Sequence, residues 1–516
     1  MELYWSWMST LVALLGGYVF VFGFVRRFNE WYYIGLFKQL GKNEYPLPPG
    51  DLGWPLIGNL FTFIKAFRSK GPDSIIYNLV SSFVICRYGR TGMYKTHLLG
   101  KPGIIVCAPE ICRRVLNDDE KFTIGYPKTM LRLAGKKSLH GMSKAEHRRL
   151  RRLMTSPIVG HNALAAYIDL IEDIVICSLE ECASMSTKHP VELLNELKKA
   201  SFKVITHIFM GSNSDSILMK EVEDLFTHVL NGQICLPINI PGFTFHKALQ
   251  AREKLARVIG SIVEQRKLII MEASSHEQAD YIDEGSKKKD WMDILLKVED
   301  ENGQKLEDDH IIDLLFLLLL AGHDTSAVAM MWSTIHLVKH PQILKKAKEE
   351  QEAILKSRPS SQERLNMKEI KQMKYLAKVI DEMLRLTNIN ISALREANVD
   401  VNINGYMIPK GWRVLIWPRG VHMDPENYPN PQEFNPSRWD NYNAKPGYFI
   451  PFGAGSMLCP GIDLVKLEIT IFLHYLLLNY KVELVNPEFS VSYLPLPKPT
   501  DSCLAKVIKV SCQIPI

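Results

Sequence analysis

One cysteine stands in a loop of small residues, Phe452-Gly453-Ala454-Gly455-Ser456-Met457-Leu458-Cys459-Pro460-Gly461. Apolar residues then recur at spacings of two, three and four, at Ile462, Leu464, Leu467, Ile471, Tyr475 and Leu478, which predicts a helix starting just after the loop. Cys459 therefore lies before a helix N-terminus, where the positive end of the dipole favours a thiolate over a thiol. Glycines at 453, 455 and 461 let the backbone turn sharply and let a flat group come close. A free cysteine is otherwise most often an inert core residue. A thiolate held open toward a planar ligand would instead serve as an axial haem ligand.

Other positions carry chemistry by type and spacing. In Ala321-Gly322-His323-Asp324-Thr325-Ser326, an acid and a hydroxyl interrupt an otherwise apolar run that includes Ile311, Ile312 and Leu314 to Leu320. Glycine and threonine weaken a helix, and a buried acid is costly. A threonine hydroxyl can bond back to the preceding turn and open it, leaving room for water and proton transfer. The alternative is a kink with an ordinary structural cause. Glu382 and Arg385, three apart, share a helix face, which alone describes a surface ion pair of little value. Glu146 to Arg152 is a basic helical segment, most simply a solvated face.

These groups need elements to hold them. The run from Asp308 to Lys339 is broken by Asp313 and by the 322–325 stretch, too early for a membrane span, and reads as a long buried helix ending before Pro341. Residues 160–275 read mainly as helices, 274–289 as a polar surface loop, Met367 to Leu386 as one amphipathic helix and Ile104 to Ala108 as a strand. Val399, Val401 and Ile403 alternate up to Asn404-Gly405, and Tyr406 and Ile408 follow, which is a hairpin signal. Leu3 to Val25 carries no charged side chain and is long enough to span a bilayer. Arg26 and Arg27 follow it, and Glu2 is the sole charge before it, so the pattern favours an uncleaved anchor with the remainder cytosolic over a secretory signal. The prolines at 46, 48, 49 and 55 mark a stiff hinge. The expected organisation is an anchor at 1–27, a linker and hinge at 28–55 and a catalytic domain at 56–516.

Over 516 residues, 47% hydrophobic content supports a large core, and a net charge of +6 argues against a nucleic-acid binder while allowing an acidic docking partner. The nine cysteines are odd in number and contain no CxxC pair, which argues against a disulfide framework or structural zinc and for a reducing compartment.

Phe-x-x-Gly-x-x-x-Cys-x-Gly, Ala-Gly-x-Asp-Thr, Glu-x-x-Arg and Phe434-Asn435-Pro436-Ser437-Arg438-Trp439, in that relation along the chain, resemble the motifs of the cytochrome P450 family. The resemblance implies a mainly α fold with small β-sheets and an N-terminal transmembrane anchor. It implies haem b ligated by the Cys459 thiolate, with Phe452, Gly455 and Gly461 in the cofactor loop. Arg395, Arg151 and His147 would hold the propionates, histidine standing where the family usually has tryptophan. Asp324 and Thr325 would deliver protons, and Arg438 would join Glu382 and Arg385 in a structural triad. It further implies a single-pass protein of the endoplasmic reticulum membrane that inserts one atom of O2 into a C–H bond. Electrons would come from NADPH through a separate NADPH–cytochrome P450 reductase, since no nucleotide fingerprint occurs in the chain.

Within the family, Pro48 to Gly58, Tyr88 to Gly92, Cys112 to Leu116 and Ser156 to Gly160 are similar to plant terpenoid oxidases. Two groups compete: oxidases of ent-kaurenoic acid and oxidases of β-amyrin at carbon 11. Ile240 to Ala248, Asp400 to Gly405 and Lys498 to Lys506 look more like the second. A lipophilic triterpenoid is therefore the expected substrate, oxidised to an alcohol and then a ketone. Met457 departs from the family, which has an arginine there for a propionate, and predicts weaker haem retention. Thr387 to Ile391 departs where relatives have prolines, in a loop that usually faces substrate. Peroxide-rearranging relatives typically lack the acid and threonine of the long helix; a degenerate haem-binding or scaffold protein is the non-enzymatic alternative that Met457 raises.

Overall fold

The computed structural model describes residues 2–39, 45–55, 57–69, 91–98, 100–135, 137–138, 146–151, 161–211, 216–233, 235–275, 291–299, 303–440 and 445–510. Cys86, 88–90, Arg152, 156–160, 276–289 and Cys512 lie outside the described residues. In chain order the elements are α1 (Glu2–Gln39), α2 (Leu60–Ser69), β1 (Met93–Leu98), β2 (Lys101–Val106), α3 (Pro109–Asn117), β3 (Phe122–Ile124), α4 (Lys128–Ala134), α5 (His161–Ser186), β4 (Val191–Glu192), α6 (Leu193–Met210), α7 (Ser216–Gln233) and α8 (Thr244–Ser275). There follow α9 (Trp291–Lys297), α10 (Asp308–Lys339), α11 (Pro341–Lys356), α12 (Met367–Gln372), α13 (Lys374–Thr387), β5 (Ala393–Ala397), β6 (Val401–Ile403), β7 (Tyr406–Ile408), β8 (Arg413–Ile416), α14 (Pro418–His422), α15 (Ile462–Asn479), β9 (Tyr480–Leu484), β10 (Val491–Ser492), β11 (Lys498–Pro499) and β12 (Leu504–Lys509). The molecule is mostly helical with small sheets. Its contacts divide it into two units, Met1–Gly125 with Asn390–Pro431 and Ala444–Met457, and Tyr126–Ile389 with Gln432–Asn443 and Leu458–Ile516.

The first unit is built on a five-stranded sheet of order β1-β2-β8-β5-β3, antiparallel except for the parallel β2–β8 pair. Ile104, Val106, Phe122, Val414 and Ile416 pack with Ile111 and Val115 of α3 into its core. The strand expected at 104–108 begins at Lys101 and ends at Val106, because Ala108 already stands as N-cap to α3, whose first residue is Pro109. The hairpin is present: β6 and β7 pair around Asn404 and Gly405, both at positive φ (52° and 79°), as a two-residue turn requires.

α1 runs unbroken past Arg27 to Gln39. Its Leu11–Gly35 stretch is long and apolar enough to cross a membrane, and residues such as Phe20, Phe24 and Trp31 are exposed. Its later turns are fastened to this unit. Asn29 Nδ2 donates to Leu52 O (3.2 Å) and Trp54 O (2.5 Å), Glu30 pairs with Lys95 (3.1 Å), and Tyr33 packs on His97. The proline-rich stretch is held as well, since Pro46 O accepts from Met407 N and Pro49 O from Lys95 N.

In the second unit α10 packs on α6, α8 and α15. At 32 residues it is about 48 Å long, and Leu314 to Leu320 are all buried. It passes the same length-and-composition test as α1, yet 78% of its apolar window is buried, so it is a core helix that ends at Lys339 before Pro341. One sequence expectation is corrected here. Residues 367–386 form two helices, not one. Asn366 starts α12 with a capping box, and Glu350 of α11 accepts from Tyr375 N (2.6 Å) and Leu376 N (2.9 Å), capping a fresh start at α13.

Candidate functional site

The cysteine loop is shaped by two glycines at positive φ, Gly453 (76°) and Gly455 (65°). A Cβ at Gly455 would lie 2.5 Å from Leu116 O, so α3 and the loop approach closely only with glycine there. A 3-10 turn follows over Gly455–Met457, and Phe452 is half-buried. Ser456 Oγ donates to Asp119 Oδ1 (2.7 Å), and the same oxygen accepts from Arg395 Nη2 (2.7 Å), which also donates to Phe122 O (2.9 Å). Asp119 thus ties the loop to β5. Arg395 is 2% exposed, and its Nε and Nη1 are buried without a hydrogen-bond partner. Buried guanidinium donors left open are costly. A bound carboxylate, such as a haem propionate, satisfies that need, so the donor set fits the group.

In the second unit Cys459 precedes α15, whose N-cap is Gly461. Gly461 takes φ −93°, and a Cβ there meets nothing within 4 Å, so neither a turn nor crowding from the protein calls for glycine at this place. Burial pushes the Cys459 thiol up, and this outweighs the Gly461 amide and the Arg151 charge, which both pull it down. A coordinated metal ion deprotonates a thiol outright. Arg151 donates to Leu458 O, the carbonyl just before the cysteine. One turn earlier on the helical stretch 146–151, His147 is 8% exposed.

The 321–326 stretch of α10 stays helical. Thr325 Oγ1 donates to Ala321 O (2.7 Å), the back-bond expected of it. Asp324 is 5% exposed, and its cost is offset by Lys198 of α6, whose Nζ lies 2.7 Å from Oδ1. His323 Nδ1 is 3.4 Å from the same oxygen; burial lowers the His323 pKa and keeps the ring neutral near pH 7. Sequence reading missed Lys198, because a lysine on a helix remote in sequence carries no local signal of its partner.

Glu382 and Arg385 are fully buried and joined twice, at 2.9 Å each. Arg438 Nε (3.3 Å), Trp439 Nε1 (3.1 Å) and Asn435 N (3.1 Å) also donate to the Glu382 carboxylate. The spacing alone described a weak surface pair; burial and five donor contacts make it a fixed junction between α13 and the 434–439 loop.

The family model described as Cytochrome P450 matches residues 48–500. The chain is 59% identical to a β-amyrin 11-oxidase of Glycyrrhiza uralensis, over 99% of this chain and 100% of that one. It is 52% identical to a (1S)-1-hydroxy-luvungin A synthase of Citrus sinensis, over 98% and 99%. It is 47% identical to ent-kaurenoic acid oxidase 2 of Arabidopsis thaliana, over 94% of each. Among solved structures it is similar to a retinoic acid-bound cyanobacterial CYP120A1, with a TM-score of 0.76 and 26% identity, over 90% of this chain and 100% of that one.

Proposed function

Because the chain belongs to the cytochrome P450 family and is a haem-thiolate monooxygenase, we propose that it oxidises β-amyrin at carbon 11, to the alcohol and then to the ketone. The observation that carries this reading is the 59% identity to the β-amyrin 11-oxidase over essentially both whole chains, against 47% to the ent-kaurenoic acid oxidase. Each oxidation takes up O2, two electrons and two protons and releases one oxygen atom as water; the first leaves the other on carbon as the alcohol, and the second yields the ketone with loss of one further water. The electrons come from NADPH through a separate reductase. α1 anchors the protein in the endoplasmic reticulum membrane, with the remainder in the cytosol, a topology supported by its exposed apolar surface and by Arg26 and Arg27 after the first turns.

The bound haem supplies the oxygen-activating chemistry. Cys459 is its ligand, and Phe452, Gly455 and Gly461 belong to the loop that receives it. Arg395 offers two open donors to a propionate, with Arg151 and His147 as further propionate contacts. Asp324 and Thr325 move protons: Lys198 Nζ stands 2.7 Å from the buried Asp324 carboxyl, and the Thr325 hydroxyl, already donating to Ala321 O, keeps its lone pairs to accept with.

Oxidation of ent-kaurenoic acid is the second reading, favoured by matches covering 94% of this chain. The deciding experiment expresses the full chain with a plant reductase, supplies each compound separately and analyses the products by mass spectrometry. An 11-hydroxy or 11-oxo product from β-amyrin is expected. Turnover of ent-kaurenoic acid alone would move the chain to the other branch.

A further inference from the structure

His422 is a buried group that none of the roles above uses. It ends α14 and is 0% exposed. Its Nε2 accepts from Ile450 N (3.0 Å), two residues before Phe452. A ring nitrogen that accepts carries no proton, so the ring is neutral with its hydrogen on Nδ1. Residues 445–454, which lead into the cysteine loop, are neither helix nor strand. Their amides and carbonyls must therefore find partners on other elements.

α3 supplies the ends of this arm. Gly447 (φ 95°) lies against its first turn, where a Cβ would stand 2.6 Å from Pro109 O, and Tyr448 Oη donates to Glu110 Oε1 (2.8 Å). Gly455 lies against its last turn at Leu116 O, and Ser456 is bonded to Asp119 just beyond. The middle is held from the other side. Tyr428 Oη donates to Tyr448 O (2.9 Å), and His422 takes the Ile450 amide. Ile450 O in turn accepts from Gly453 N (3.2 Å), closing the turn in which Phe452 sits. Pro451 has no amide hydrogen, so the Ile450 N–H is the last donor before Phe452.

We propose that His422 is a positioning residue for the haem: by holding Ile450 N it sets the 450–453 turn, and with it the places of Phe452 and Gly455 in the cofactor loop. It acts through the backbone, and what it contributes is the lone pair at Nε2, not the bulk of the ring. The inference rests on the haem-binding role proposed above for Phe452, Gly455 and Cys459.

The test uses the full-length haem-loaded protein. It compares wild type with His422→Phe, which keeps a ring without the acceptor, and His422→Gln, whose amide oxygen can accept in a similar place. Haem transfer to apomyoglobin should be roughly tenfold faster in His422→Phe, the effect of a buried amide left open, and close to wild type in His422→Gln. The ferrous carbon monoxide spectrum of His422→Phe should show a fraction of haem that has lost its thiolate. A role confined to overall stability would move neither readout in the folded variants. Hydrogen exchange of the wild type, which requires no variant to fold, should find the Ile450 amide as slow as the core amides of α3. Where His422→Phe does not fold, that exchange and the haem transfer of His422→Gln decide. Free exchange at Ile450, wild-type haem transfer and spectrum in His422→Phe, or loss of haem from His422→Gln at the raised rate expected of His422→Phe, each overturns the proposal and leaves the haem-thiolate reading standing. A wild type whose carbon monoxide spectrum lacks the thiolate form would overturn both.

Discussion

Glu468 of α15, 1% exposed, gives stability a pH dependence opposite to that of an ion-paired carboxylate. Its folded pKa, about 7, lies above the ordinary 4.5. Between those values the folded chain holds a proton that the unfolded chain has released, so stability falls as pH rises through this window and the loss is complete above it. The size is on the order of 3 kcal/mol for a shift of this kind. Glu468→Gln should therefore gain on the wild type as pH rises from about 5 to about 8, read from the midpoints of denaturant unfolding; a constant difference would refute it. Met457 is the second residue of interest. Asp119 already draws on Arg395, and methionine adds no donor for a propionate. Met457→Arg should slow haem loss to apomyoglobin roughly tenfold, the worth of one charge-assisted hydrogen bond. An unchanged rate would show that Arg395 suffices. What could be read from sequence at this scale was local: the cysteine loop, the Glu382–Arg385 spacing and the Asn404-Gly405 turn each lie within a few residues. Asp119 joins Arg395 and Ser456 across distant positions, and no period announces it.

At the scale of elements, one ion pair links α6 to the reactive stretch of α10. Lys198→Met should leave Asp324 buried without its cation and destabilise the fold by about 2–3 kcal/mol, somewhat less than a fully buried pair costs because Lys198 is partly exposed. Adding Asp324→Asn should recover most of that loss. Failure of the double variant to recover would mean that packing of the lysine stem, not charge, is what matters. The α12–α13 break was hidden from sequence for a related reason. Its cause is Glu350, a side chain on another helix that competes for the amides of Tyr375 and Leu376. Periodicity reports which face of a segment is apolar, and both helices share that property.

For the whole molecule, the sequence was legible as a helical protein with small sheets because its long helices are strongly apolar and its motifs occur in order. Where the first helix would stop was not legible, since the Arg26–Arg27 pair marks the end of an apolar stretch and not the end of a helix. Removal of residues 2–27 should leave thermal unfolding of the remainder within a degree or two. Removal of 2–39 should lower its midpoint by several degrees, because Asn29, Glu30 and Tyr33 go with it and Leu52, Lys95 and His97 lose their cover. Equal midpoints would show that the docked turns contribute nothing.

The docking of α1 also restricts how the chain can be re-addressed in a cell. A foreign leader grafted at residue 28 would inherit the seat on Leu52 and Trp54, and its helical phase would be dictated by Asn29 and Tyr33. One grafted at residue 40 would lack that seat. The splice point, more than the leader, would then decide which way the catalytic body faces its surroundings.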